Sequence, residues 1–120
     1  MTSEYTASPP IADATSDTFD ALVFAPRGEL VVVDFWGRDC PNCEDFARDA
    51  PALLAQLAGE PVRVVKVDAY TYDDLARRFG LVGVPTFVLV RDGTVIGKMS
   101  RYRGRAFWLA VVREHLPARP

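Results

Sequence analysis

Two β-branched runs constrain this chain more than any other feature. The stretches "ELVVVDF" (residues 29–35) and "VRVVKVDAY" (residues 62–70) are compact and apolar, and the first shows no alternation of apolar and polar positions. A strand with one wet face alternates with period two, so a run without alternation reads as a strand buried on both faces. Between the two runs, Phe46, Leu53, Leu54 and Leu57 are spaced for one face of a helix. Strand, helix, strand in that order predicts a parallel pair joined by a crossover, and hence an α/β domain. Pro51 lies inside the helical stretch and is expected to kink or break it.

The flanking segments extend this pattern. "TSDTFDALVF" (residues 15–24) predicts a helix with Ser16 as N-cap and Asp17 and Asp20 near its positive end. Pro26 to Gly28 break it. "YDDLARRFG" (residues 72–80) is a short helix stopped by Gly80. "TFVLV" and "TVIGKMS" flank Arg91-Asp92-Gly93-Thr94, whose Asp-Gly is a tight-hairpin signal. "RAFWLAVVREHL" (residues 105–116) is an amphipathic helix with Phe107, Leu109, Ala110, Val111 and Leu116 expected mostly inward, and Pro117 ends it. The expected domain therefore spans residues 15–117. Residues 1–14, polar and carrying Pro9-Pro10, read as a flexible arm with a short edge strand near Ile11, and residues 118–120 as a tail.

With 120 residues the chain has room for one core, not two. A net charge of −2 gives no reason to expect nucleic-acid binding. No apolar run approaches the roughly 20 residues of a transmembrane helix. The N-terminus lacks both the basic and the apolar region of a signal peptide. The reading is a cytoplasmic chain with no membrane or nucleic-acid partner.

Both cysteines, Cys40 and Cys43, fall within "VVVDFWGRDCPNCEDF" (residues 31–46), where the first strand ends and the helix begins. A disulfide staple, a metal clip and a redox centre all need paired thiols. Two cysteines are too few for a secreted disulfide scaffold, and so short a loop adds little chain-entropy stabilisation. A zinc ion would find only two ligands from one chain, since the single histidine, His115, sits at the far end of the last helix. A redox centre fits the position. At i and i+3 of a first helical turn two sulfurs can face each other, and the N-terminal one lies beside unsatisfied backbone N–H groups that stabilise a thiolate. Pro41 suits such a turn because it has no N–H to waste. Asp34 interrupts the first strand. Buried there it carries a raised pKa and can take the proton of Cys43; its other readings are an exposed strand end or a pair with Lys66. In "GVPTF" (residues 83–87), Pro85 reads either as a loop proline before a strand or as a cis residue.

These motifs together resemble the thioredoxin family from about Ile11 to Leu116. "VVVDFWGRDCPNC" is similar to that family's strand, buried Asp, Trp and Cys-x-x-Cys. "VVKVDAYTYDDLARRFGLVGVPTF" resembles its next strand, helix and cis-proline loop, and "VRDGTVIGKMS" its hairpin. The resemblance implies a thioredoxin fold: a central mixed β-sheet flanked by helices in a single α/β domain. It implies a thiol-disulfide oxidoreductase that acts on protein disulfides, is recharged by an upstream disulfide reductase, has no bound cofactor and no metal, and works as a monomer. Cys40 would attack, Cys43 would resolve, and Asp34 with Lys66 would move the proton. Trp36, Pro41, Asn42, Val84, Pro85 and Arg101 would form the substrate surface, with Pro85 cis and the Val84 backbone pairing with a substrate strand.

The chain also departs from that family. Pro41-Asn42 replaces the usual Gly-Pro between the cysteines, and this dipeptide tunes redox poise. Asp39 stands where a second Trp is usual; it raises the pKa of a neighbouring thiol, and Arg38 opposes it. Arg101 occupies the place of the substrate-groove glycine, within a basic cluster of Lys98, Arg101, Arg103 and Arg105 that reads either as solvated surface or as a groove suited to acidic clients. These departures keep open an alternative reading, a thioredoxin-fold module that holds a dedicated partner or metal and turns over little.

Overall fold

The computed structural model describes residues 7–118. Its elements are β1 (Ile11–Asp13), α1 (Phe19–Val23), β2 (Leu30–Trp36), α2 (Pro41–Gln56), β3 (Val62–Asp68), α3 (Asp73–Arg78), β4 (Thr86–Arg91), β5 (Thr94–Met99) and α4 (Arg105–His115). They form a five-stranded sheet of order β1-β3-β2-β4-β5. β1 and β2 run parallel to β3, while β4 is antiparallel to β2 and β5 to β4. The sheet is therefore mixed.

β2 lies at the centre, and Leu30 to Phe35 are buried without interruption. Its side chains feed two separate cores. Leu30 and Val32 join the cluster formed with α2 and α4, while Val31, Val33 and Phe35 join the one formed with α1 and α3. This is why the run does not alternate: both faces of the strand are dry. In the β4–β5 turn, Asp92 and Gly93 both have positive φ, 51° and 77°. That is the two-residue geometry whose twist matches a hairpin, and it needs residues tolerant of the left-handed region.

Several local expectations are corrected. Thr18, not Ser16, holds the N-cap position of α1. The Ser16 hydroxyl donates instead to Asp74 at 2.7 Å, tying the segment before α1 to α3. α2 continues through Pro51 without a break. On α4 the buried residues are Trp108, Leu109 and Val112. Phe107 is 42% exposed and Ala110 faces solvent. The stripe is rotated from the expected one because Trp108, the largest fully buried side chain, occupies the core. The short edge strand expected near Ile11 is present as β1, at the sheet edge with Ile11 in register with Val64. Residues 1–6 and 119–120, which complete the expected arm and tail, lie outside the described residues. Among the described residues no helix is long and apolar enough to cross a membrane.

Candidate active site

β2 delivers the chain to the site, and one strained-looking residue turns it. Asp39 has φ +56°, a left-handed conformation that Asp tolerates better than most residues. Cys40 follows as the N-cap of α2 in extended geometry, with Pro41 in the first helical position. Cys40 and Cys43 form a disulfide with Cα atoms 5.2 Å apart. The Cys43 backbone N–H donates to Cys40 Sγ at 3.1 Å. A backbone N–H on this sulfur and the positive end of a 16-residue helix are both features that favour a thiolate once the disulfide is reduced.

Access to the sulfurs is narrow. Cys40 is 9% exposed and Cys43 8%, so the sulfurs open only onto the groove beside them. The other side of that groove is the loop before β4. The Val84–Pro85 peptide bond is cis, and the Val84 carbonyl oxygen lies 3.7 Å from Cys40 Sγ. Thr86, buried at the start of β4, donates its hydroxyl to the Gly83 carbonyl at 2.7 Å and pins this loop.

Beneath the disulfide lies a cavity of about 220 Å³, lined by Asp34, Trp36, Gly37, Arg38, Cys43, Glu44, Ala47 and Lys66. Asp34 is 3% exposed, so the exposed-strand-end reading is excluded. Burial raises its pKa from 3.8 to about 7, with the Lys66 charge pulling the other way. Lys66 is the register partner of Asp34 across β2 and β3. Its ammonium nonetheless rests over the Trp36 ring, 5.3 Å from the centroid, and makes none of the described ion pairs. The Trp36 indole N–H is buried and has no hydrogen-bond partner among the described residues. Asp34 and Cys43 thus line one cavity, with the Asp34 carboxyl as its buried acid. Gly37 lets the wall close, because a Cβ there would run into the Tyr70 ring.

A second recess, of about 370 Å³, opens on the other side of the disulfide and is lined by Asn42, Val84, Pro85, Ser100, Arg101 and Tyr102. The structure thus brings Asn42, Val84, Pro85 and Arg101 together around one recess, and Asp34, Trp36 and Lys66 around the other. Pro41 is exposed at the helix start between them. Asp49 escaped sequence reasoning here, as did the hydrogen bonds of Tyr102, which the sequence marked only as a bulky neighbour of Arg101. Tyr102 is buried and exchanges backbone hydrogen bonds with the Asn42 side chain. Its hydroxyl donates to Asp49 at 2.6 Å, and Arg105 pairs with the same carboxylate at 3.1 Å. The Tyr102 hydroxyl bond holds the Asp49 pKa below its ordinary value, while burial pushes that of Tyr102 up. The only available signal was that an Asn between two cysteines must satisfy its amide somewhere.

Of the basic cluster, Arg105 is committed to Asp49 and Arg103 stacks on Phe107. His115 completes α4, its Nδ1 2.7 Å from the Val111 carbonyl oxygen. Among the described residues no three His, Cys, Asp or Glu side chains converge as a metal site would require.

Comparison with known proteins agrees with this geometry. The thioredoxin family model matches residues 10–112. The thioredoxin of Mycobacterium bovis is 30% identical over 115 residues, covering 96% of this chain and 95% of that protein. The bifunctional thioredoxin reductase/thioredoxin of Mycobacterium leprae is 30% identical over 112 residues, covering 88% of this chain and 24% of that longer protein. In three dimensions the chain is similar to spinach chloroplast thioredoxin f, with a TM-score of 0.77 at 24% identity, covering 88% of this chain and 85% of that one. A buried Asp, a Cys-x-x-Cys disulfide at a helix start and a facing proline loop therefore coincide with a match over nearly the whole domain. The chain belongs to the thioredoxin family and is a thiol-disulfide oxidoreductase.

Proposed function

We propose that this protein reduces disulfides in client proteins, and that the Cys40–Cys43 couple is recharged by a disulfide reductase in the cytoplasm, with the enzyme acting as a monomer. The observation that carries this reading is the disulfide at the N-terminus of α2, between the Asp34 cavity and the Val84–Pro85 loop. The Mycobacterium leprae relative, named for a thioredoxin reductase joined to a thioredoxin, supports a reductase as electron donor.

The reaction needs only thiols. The Cys40 thiolate attacks one sulfur of a client disulfide, forming a Cys40–client bond and expelling the client's other sulfur as a thiolate. Cys43 then gives its proton to Asp34 through the cavity, with the Lys66 charge stabilising the carboxylate that accepts it. The Cys43 thiolate attacks Cys40 Sγ, restoring the Cys40–Cys43 disulfide and releasing the second client thiolate. The client gains two electrons and the enzyme loses two. In this reading a client segment lies extended against the Val84 backbone, beside Pro85, with Trp36, Pro41, Asn42 and Arg101 completing the surface.

The test is insulin disulfide reduction driven by dithiothreitol. Wild type should accelerate it, Cys40→Ser should abolish the acceleration, and Cys43→Ser should accumulate the Cys40–client mixed disulfide. No acceleration by wild type would overturn the general-reductase reading. A module that merely holds a partner or a metal predicts the reverse, with capture surviving loss of Cys40.

A further inference from the structure

The Asn42 side chain does something a dipeptide between redox cysteines has no need to do. Its Nδ2 donates to the Tyr102 carbonyl at 3.0 Å, and its Oδ1 accepts from the Tyr102 N–H at 2.9 Å. Both ends of one amide are spent on the backbone of one residue, as a neighbouring strand would spend them. The segment held this way leaves β5 at Met99 and forms the wall of the recess opposite Val84 and Pro85. It is held a second time by the Tyr102 hydroxyl on Asp49.

The consequence falls on Arg101, which lies between Ser100 and the strapped Tyr102. It is exposed and lines the recess. Among the described residues it makes no ion pair, whereas Arg105 is tied to Asp49 and Arg103 to the Phe107 ring. Arg101 is the only charged residue in the lining. Within this recess, a segment laid against Val84 therefore meets one formal charge, positive, on a wall fixed by hydrogen bonds to the cysteine turn itself.

We infer that Asn42 is a positioning residue that holds this wall, and that Arg101, so held, selects client disulfides flanked by an acidic residue. The inference rests on the client-binding surface proposed above. An Arg fork pairs well with a carboxylate and repels an ammonium. For a partly exposed pair the discrimination should be about 3- to 10-fold in rate between acidic and basic clients at low salt. It should fade at high ionic strength as the charges are screened.

The experiment is a single-turnover measurement with the reduced full-length protein. Three short peptide disulfides differ only in carrying Glu, Gln or Lys beside the reactive cysteine, and the second-order rate constant is measured for each. Wild type should rank Glu above Gln above Lys. Arg101→Glu should invert the order, and Arg101→Lys should restore its direction. Asn42→Ala should narrow the Glu-to-Lys ratio. That ratio cancels any general slowing from an altered redox potential or a partly unfolded sample, so it reports the placement of Arg101 alone. Equal rates for all three peptides with wild type would overturn the selectivity while leaving disulfide exchange standing. An unchanged ratio in Asn42→Ala would overturn the positioning role. Reduction of none of the three would remove the exchange reading and this inference with it.

Discussion

Asp34 is the residue at which function and stability oppose each other. A carboxyl group 3% exposed is costly to ionise, and its pKa is raised from 3.8 to about 7. Between pH 4 and 7 the native protein holds a proton that the unfolded chain has released, so stability falls as pH rises through this window and levels off above it. Asp34→Asn has no such loss. At pH 8 it should be more stable than wild type by on the order of 3–4 kcal/mol, with the difference shrinking as pH falls toward 4. Urea unfolding of the oxidised protein at pH 5 and pH 8 measures this, and an equal gain at both values would assign the effect to packing. Lys66, Glu44 and Arg38 line the same cavity and remain in both proteins, so the comparison isolates one carboxyl group. The same substitution should slow release of the client from the Cys40 mixed disulfide, because Cys43 loses its proton acceptor. An apolar strand interrupted by one acid was enough to mark this residue in the sequence. Where the charge of Lys66 comes to rest, over an indole and not on the carboxylate, was not legible.

At the scale of elements, period and composition carried the reading, and side-chain partners distant in sequence decided what it missed. The uninterrupted apolar run gave β2, and Asp92-Gly93 gave the hairpin. Ser16 is the better cap by chemistry, but its hydroxyl is spent on Asp74, 58 residues away, and Thr18 holds the cap position instead. Pro51 shows the same limit. Local chemistry predicts a break, yet Phe46, Leu53 and Leu54 are all buried against one core, and their packing carries the helix across it. The proline still removes the N–H that would reach the Ala47 carbonyl, and it is itself exposed. Pro51→Ala should restore that bond without opening a cavity. Interior proline is worse than alanine by about 3 kcal/mol, partly offset because proline also stiffens the unfolded chain, so a net gain of about 1–2 kcal/mol is expected. Thermal unfolding of the oxidised protein would show it. A fall in stability would mean that the helix is shaped around the proline ring.

Across the whole molecule, the sheet separates two cores that share its strands, and this split was readable from β2 alone. The groove wall was not: Asn42 and Tyr102 are 60 residues apart, and no local pattern links them. Trp108 is the centre of the core on the α2 and α4 face. It is fully buried on α4, with ring centroids 5.2 Å from Phe46 of α2 and 6.1 Å from Phe87 of β4. Phe46 in turn lies 5.3 Å from Tyr102 in the groove wall. The Trp108 indole N–H has no partner among the described residues, so the ring contributes area and shape and no hydrogen bond. Trp108→Phe removes that unpaired donor and keeps an aromatic surface against both neighbours, and it should cost about 1–2 kcal/mol. Trp108→Ala opens a cavity between helix and sheet and should cost about 3–5 kcal/mol. Because β2, β3 and β4 belong to both cores, that loss should not stay on one face. Amide exchange should lose protection in α1 and α3, across the sheet, as much as in α2. Protection lost on the α2 and α4 face alone would show that the two cores unfold separately.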